Sequence, residues 1–473
     1  YKGKLYTYID MFQNGIEAEL PDGYEIITKS ANITTEGQKA RAQLAEGDTH
    51  AYLVTVSDDP DSGDTQSALA VLTGITAESI SEEPLDFVTK NLYLPTETSA
   101  EGVTLSWTSS DSQVVAEDGT VQRHMIERKH VTLTACVVSG SEALEKSFNI
   151  TVLPRTTRVA VNEGFAHPER LGQSYNGVDG WTAAGTGAAE LIRADNNYLL
   201  QTTQKKEYSV DEIAFRQNIT DFAPGDDGSY TVSYRIRLPQ LSDAMVRRIA
   251  ITANGKTTLS AISVTSSGKL TVIDDLAAQP WYGTSAAPYT MVQAERWITV
   301  QTVIHTTDNT QSVYVDGALL AERAAMLEVP AQYDALGVQL QCRFAGSAGE
   351  NSSVVWLDDL RIYAEDSKES YLAAMTDAEK VSFFASLLTL QNLTAEQPHE
   401  ITQNLTLNAA YKAYDLTACG VRVDWETDAP SVISVDGVNG VVTQGEFSAK
   451  ATLTATVTAG AVQKRLMFSF GVP

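Results

Sequence analysis

The chain has little cysteine, little histidine and few basic residues, and each shortage removes a class of protein. Its three cysteines, Cys136, Cys342 and Cys419, stand far apart in 473 residues. No Cys-x-x-Cys pair occurs, so neither a thiolate zinc site nor a redox dithiol is written here. They read as isolated buried thiols, and low cysteine does not exclude export, because large β domains hold together without disulfides. The six histidines, at positions 50, 124, 130, 167, 305 and 399, form no His-x-His or His-Glu-x-x-His pattern. Nucleophile elbow, phosphate loop and dinucleotide fingerprint are absent as well. Sixty acidic residues against 34 basic ones leave a net charge of −26 and a pI near 4.6. That charge repels phosphate backbones and argues against nucleic acid as a partner; it reads as a solvated, carboxylate-dressed surface. No apolar run approaches the length of about 18 residues that a membrane-spanning helix needs. The chain opens at Tyr1 with no basic and apolar leader, which reads as a mature or excised chain whose targeting segment lies outside this sequence.

What is present is alternation. At about 150 residues per domain the length suggests three or four domains, and a hydrophobic content of 43% supplies the cores. Residues 1–75 read as a meander of short strands: KLYTYIDMF, YEIIT, KARAQLAEG and HAYLVTVSDD, broken at Asn14-Gly15 and Pro21-Asp22-Gly23. The acidic tract Asp58 to Asp64 lacks the spacing and closing Glu of a twelve-residue calcium loop and reads as a solvated turn.

From residue 76 an internal repeat appears. KNLYLP, VTLSW ending at Trp107, DGTV, VTLTACV and FNITV recur as QNLTLN, VRVDW ending at Trp425, NGVV, ATLTATV and FSFGV. Short alternating strands with one strand-borne Trp describe a small β-sandwich whose Trp plugs the core. Both copies resemble the reduced bacterial immunoglobulin-like modules of large extracellular proteins. The segment W-T-S-S-D after Trp107, the turn Asp118-Gly119-Thr120-Val121 and the run V-T-L-T-A carry the likeness. The second copy departs from it at Glu426 to Pro430 and in a longer insert before its Trp. The resemblance implies spacing and adhesion. Ahead of the second copy, Thr376 and Glu379 form a capping box, and Val381, Phe384, Ala385 and Leu388 make an apolar stripe, which predicts a helix from Thr376 to about Leu390.

Between the repeats, about ten regularly punctuated strands predict two larger packed sheets. The hairpin over Asp316-Gly317 and the closing strand VVWLDDLRIY resemble a laminin-G-like, concanavalin A-like jelly roll, and Gly164-Phe165 and Gly180-Trp181 resemble its opening. The expected fold class is therefore all-β: an N-terminal β segment at 1–75, an immunoglobulin-like module at 76–155, a jelly roll at 156–365, and a helix with a second module at 366–473.

The glycosidase branch of the jelly-roll fold carries a Glu-x-Asp-x-x-Glu run on one strand face, and none occurs here. Asp358 and Asp359 are adjacent, so strand alternation sends them to opposite faces and no acid–nucleophile pair is expected. Trp297 and Trp356 lie inside strand patterns and read as core. Trp281 lies in QPWYGTSAAPYT with Tyr282 and Tyr289; a loop-held aromatic of this kind stacks on sugar rings, so these three are the candidate ligand contacts. The resemblance also implies one structural calcium ion, with Asp358 as ligand and backbone oxygens near Gly164 beside it. The expected role is a non-catalytic, secreted or cell-surface bacterial protein that binds a polysaccharide or glycan surface, or adheres through the jelly roll. An accessory region of a larger glycoside hydrolase or polysaccharide lyase, and a plain surface spacer, fit the same residues.

Overall fold

The computed structural model describes every residue except 1–4, 12–14, 21–23, 30–31, 37–38, 44–50, 58–61, 99, 101, 141, 176–181, 195–196, 206–209 and 345–351. It is all-β and multi-domain, its described strands forming seven sheets. The chain divides into two compact units. One holds Tyr1–Pro154 with Asn162–Glu169 and Arg193–Leu199, the other Arg155–Val161, Arg170–Ile192 and Leu200–Pro473.

In the first unit the N-terminal strands form two three-stranded sheets. One runs in the order Leu5–Met11, Ala51–Ser57, Tyr24–Lys29 and the other Glu17–Glu19, Lys39–Ala42, Ile33–Glu36. Met11, Leu20, Ile33, Ala40 and Ala42 are buried together. Most of the acidic tract lies outside the described residues, but its end is helical: Ser62–Gly74 is an α-helix. Sequence alternation carried strand structure through this stretch. The overlooked signal is Ala68, Leu72 and Ile75, spaced i, i+4, i+7, all three buried in the core of the following module. That module pairs Val103–Ser109 with Lys129–Ser139 and Glu142–Val152. Trp107 plugs its core at 4% exposure, packed 6.0 Å from Phe148, and its indole N–H donates to Pro95 O at 2.8 Å.

The second copy, in the other unit, repeats this plan. Val421–Thr427, Ala449–Ala459 and Val462–Val472 form its sheet, and Trp425 stands 5.9 Å from Phe468. Its helix is Asp377–Ser386, with the expected capping box at Thr376; it stops short of Leu390 because Thr389 begins a separate turn, Leu390–Leu393. Val381, Phe384, Ala385 and Leu388 are buried, as their stripe requires.

The repeat reaches into polar detail that hydrophobic patterning does not display. In the first copy Glu83 accepts from Thr89 N–H (2.5 Å), Thr89 Oγ1 (2.7 Å) and Lys90 N–H (2.9 Å). In the second, Glu396 accepts from Thr402 N–H (2.6 Å), Thr402 Oγ1 (2.6 Å) and Gln403 N–H (2.9 Å). Asn91 and Asn404 each accept at 2.9 Å from a backbone amide, that of Val121 and of Val442. One carboxylate thus ties the segment after each short helix to the stretch of chain that leads into its sandwich, where a disulfide is lacking.

Most of the central domain lies in the second unit. An eight-stranded sheet runs Ala188–Ala194, Asn197–Lys205, Ser352–Glu365, Ser229–Arg237, Trp297–His305, Thr310–Val315, Ala318–Ala325, with Thr157–Glu163 joined to the long strand Ser352–Glu365. A seven-stranded sheet runs Thr182–Gly185, Val210–Asn218, Ala335–Arg343, Val246–Ala253, Thr257–Thr265, Lys269–Val272, Tyr289–Met291. Val232, Tyr234, Ile236, Val300, Leu357 and Ile362 of one sheet, and Phe215, Ile249, Val338, Leu340 and Val264 of the other, are all buried. The hairpin expected at Asp316-Gly317 is a two-residue turn with both φ values positive, +48° and +77°, the geometry that suits the right-handed twist of the strands it joins. Trp181, with Gly180, lies outside the described residues.

Two predictions follow from the carboxylate ties. Glu83→Ala strands three donors in a buried setting and is expected to cost about 1–3 kcal/mol, read by urea unfolding; a change below about 0.5 kcal/mol contradicts the assigned role. Glu396 is held below the usual carboxylate range by the Thr402 hydroxyl and then by the Gln403 and Thr402 amides. Asp226, which accepts from the N–H and Oγ of Ser367, the N-cap residue of the helix Lys368–Ala374, is pushed down to about 2 by the Ser367 and Ser370 hydroxyls. Both depressed values add stability that is complete above the unfolded carboxylate range and is lost as pH falls through the folded values. Thermal midpoints between pH 5 and 2 should therefore fall less steeply in Glu396→Gln and Asp226→Asn than in the parent chain.

Candidate functional site

The site begins with parity. On Trp297–His305 the core takes Ile298, Val300 and Ile304, so Trp297 shares the opposite face with Thr299 and Gln301. On Ser229–Arg237 the core takes Val232, Tyr234 and Ile236, leaving Ser233, Arg235 and Arg237 on that same outer face. Arg237 is the register partner of both Trp297 and Trp356, and Trp356 is the partner of Gln201. A row Gln201, Trp356, Arg237, Trp297 therefore crosses four strands. Trp297 and Trp356, read from sequence as core, are half-buried on the face away from it. Their strands already had Ile298 and Leu357 at the inward position next to them.

The rings are fixed rather than loose. The Arg235 guanidinium lies 4.9 Å from the Trp297 ring centre, and that of Arg237 4.8 Å from Trp356. Trp356 Nε1–H donates to Gln201 Oε1 at 3.1 Å. Gln301 Nε2 reaches the Tyr363 hydroxyl at 3.4 Å.

The closing strand carries the main departure from expectation. Its register against Ser229–Arg237 shifts between Ser233 and Arg235, and Asp359 has a φ of +48°. This is a β-bulge: Asp359 and Leu360 together face the single residue Tyr234, while Asp358 keeps its register with Arg235. It breaks alternation, so Asp358 and Asp359 do not part to opposite faces. Arg235 Nη1 stands 3.1 Å from Asp359 Oδ2 and 3.7 Å from Asp358 Oδ2, and Arg361 Nη2 stands 3.3 Å from Asp359 Oδ1. Asp358 Oδ1 also accepts the Asp359 amide at 2.9 Å. The two carboxylates converge on guanidinium groups and are ion-paired.

Asp358 is 3% exposed, and a guanidinium is its near charged neighbour. A divalent ion there would meet the Arg235 charge, whereas calcium draws on six to eight oxygens. Among the described residues no group of three or more His, Cys, Asp or Glu is placed to hold a metal ion. Arg235 is thus a charged partner of Asp358 in this structure.

The other candidates sit on the seven-stranded sheet. Trp281 and Tyr282 lie half-buried in turns after Lys269–Val272, while Tyr289 is 57% exposed on the edge strand Tyr289–Met291, opposite Thr271. Lys269 Nζ lies 4.3 Å from the Tyr289 ring centre. The loop is pinned by Thr284, whose amide and hydroxyl donate to Asp274 at 2.7 and 2.5 Å. Gly283, at φ +68°, leaves no room for a side chain: a Cβ would lie 2.9 Å from both Ala287 Cβ and Val272 O. Trp281, Tyr282 and Tyr289 belong to one end of this sheet, and Asp358 to the other sheet, so the four do not form one site.

Residues 65–155 and 381–473 match the family model described as an atrophied bacterial Ig domain. Both repeats are immunoglobulin-like modules, and each match takes in helical residues that precede the strands. No curated protein matches the chain. Among solved structures it is similar to a sialidase, at 13% identity and a TM-score of 0.32, over 63% of this chain and 26% of that one. It is similar also to the alginate lyase AlgAT5 of polysaccharide lyase family 7, at 11% identity and TM-score 0.26, over 37% of this chain and 82% of that one. A third is the binding domain of botulinum neurotoxin DC in complex with rat synaptotagmin II, at 10% identity and TM-score 0.25, over 60% and 68%. The chain spans only about a quarter of the sialidase, and likenesses this loose carry neither fold nor function over to it. No helix among the described residues is long and apolar enough to cross a membrane.

Arg235→Met removes the guanidinium shared by Asp358 and Asp359. Because Arg235 is partly exposed, the expected loss is about 2–4 kcal/mol, below the upper range for a fully buried pair, read by urea unfolding. A loss under about 0.5 kcal/mol would show that the bulge holds without it. Adding EDTA and then calcium should leave the thermal midpoint unchanged; a rise of several degrees on calcium would place an ion at Asp358.

Proposed function

We propose that the chain is a non-catalytic, extracellular bacterial protein whose central sandwich binds glycan through the outer face of its eight-stranded sheet. One observation carries this reading: Trp297 and Trp356 are only partly buried on strands flanking Ser229–Arg237, each with an arginine guanidinium beside its ring. Two flat aromatics on one sheet face offer platforms for sugar rings, and Gln201, Gln301, Arg237 and Tyr363 supply donors and acceptors for hydroxyls around them. The laminin-G-like, concanavalin A-like assignment belongs to the same proposal. It is supported by paired antiparallel sheets of eight and seven strands and by the tight hairpin at Asp316-Gly317. Immunoglobulin-like modules at both ends support an extracellular setting, in which they space the sandwich along a surface. The non-catalytic part is supported by the carboxylates of this face: Asp358 and Asp359 are neutralised by Arg235 and Arg361, whereas glycoside hydrolysis needs two carboxyl groups set across a cleft.

Affinity electrophoresis of the full chain through plant and host polysaccharides tests the proposal. Retardation by at least one of them is expected, with affinity about tenfold weaker, about 1.4 kcal/mol, in Trp297→Ala and in Trp356→Ala, and unchanged in Trp281→Ala. Loss in Trp281→Ala alone would move the site to the loop of the other sheet. No retardation by any polysaccharide would leave a surface spacer.

A further inference from the structure

The two immunoglobulin-like modules differ most where the second carries its insert. The first copy bridges its early strands with the short segment Pro95 to Gly102; the second uses the longer Asn408 to Gly420. In the first, Trp107 is 4% exposed and its indole N–H is taken by Pro95 O. In the second, the insert folds into the 3-10 turn Ala409–Tyr411 and a series of turns, and Trp425 packs on the core but is only partly buried. Around it opens a pocket of about 690 Å³, whose walls include Trp425, Tyr411, Tyr414, Lys412, Asp415 and Val438.

The walls are built, not merely left open. Tyr411 donates its hydroxyl to Phe384 O at 3.0 Å, which anchors the insert to the capped helix. Tyr414 meets Phe384 edge-on at 5.5 Å and Phe383 at 5.8 Å. Lys368 stands 4.3 Å from the Tyr414 ring centre and donates to Ala413 O at 2.5 Å. Asp415 Oδ1 accepts the Ala418 amide at 3.0 Å, which closes the turn. At the rim Val438 is 49% exposed, an apolar residue at a hairpin tip.

We propose that this pocket binds a neutral saccharide unit, with the Trp425 indole as its platform. The volume falls within the range of about 300–1,000 Å³ typical of small-ligand sites. One cation and one anion, Lys412 and Asp415, line it, so no net charge selects an ionic ligand. Flat aromatic and aliphatic surface beside amide, ammonium and carboxylate groups matches a sugar, which has an apolar ring face and hydroxyls at its edge. The first module, with a shorter segment and a sealed Trp107, is the internal control: the insert makes the site. This inference is independent of the central sandwich, and either can fail without the other.

The test titrates the full chain with the methyl glycosides of glucose, galactose, mannose and N-acetylglucosamine, following the Trp425 indole N–H resonance. At least one glycoside should shift it with a Kd below about 10 mM. Val438→Arg, at an exposed rim position, should weaken that binding about tenfold or more while leaving the thermal midpoint unchanged. Trp297→Ala should leave it intact. The proposal is overturned if no glycoside moves the resonance, if Val438→Arg binds as the parent does, or if a tyrosine-containing tripeptide shifts it and no sugar does.

Discussion

The bulge at Asp359–Leu360 is the constraint on which the central domain's outer face depends. A long strand has to bury Val355 and Leu357 at one end and Leu360, Ile362 and Ala364 at the other. Those two sets are out of phase, and a strict pleat would turn one of them to the outer face. The extra residue restores phase. It then leaves two carboxylates in the sheet, one of them at positive φ, and Arg235 and Arg361 compensate them. Because Arg235 is held there, its guanidinium also lies over Trp297. Packing, charge and the aromatic platform are thus one arrangement.

Much of the architecture was legible from period-two alternation and turn dipeptides, because these report directly on which face is buried. The repeated strands, the capped helix at Thr376 and the hairpin at Asp316-Gly317 all stand where patterning put them. Patterning failed where its period broke. The interval from Leu357 to Leu360 is odd, and that was the readable sign of a bulge, yet uniform alternation across the strand sent the two aspartates apart. The same neglect of parity put Trp297 and Trp356 in the core: size and aromaticity suggested burial, whereas Ile298 and Leu357 occupy the inward positions. The helix Ser62–Gly74 was hidden by its setting between an acidic turn-like tract and Gly74, with only Ala68, Leu72 and Ile75 as apolar markers.

The end modules show what a repeat carries besides apolar positions. Glu83 and Glu396 perform the same three-bond task in both copies, and the Trp–Phe pairs agree within 0.1 Å in centroid distance, at 6.0 and 5.9 Å. Against that shared frame the insert at Asn408 to Gly420 is a clear change, and it coincides with a Trp425 less buried than Trp107. In modules without disulfides, stability rests on the sandwich core and these polar ties, while loops at the sandwich end are free to vary.

The central claim is that ligand meets the sheet face bearing Trp297 and Trp356. It is tested most directly by following the indole N–H resonances of the full chain as oligosaccharide fragments of a retarding polysaccharide are added. The account predicts that the Trp297 and Trp356 resonances move together while the sealed Trp107 stays still. Movement of Trp281 alone, with Trp297 and Trp356 unchanged, would contradict it.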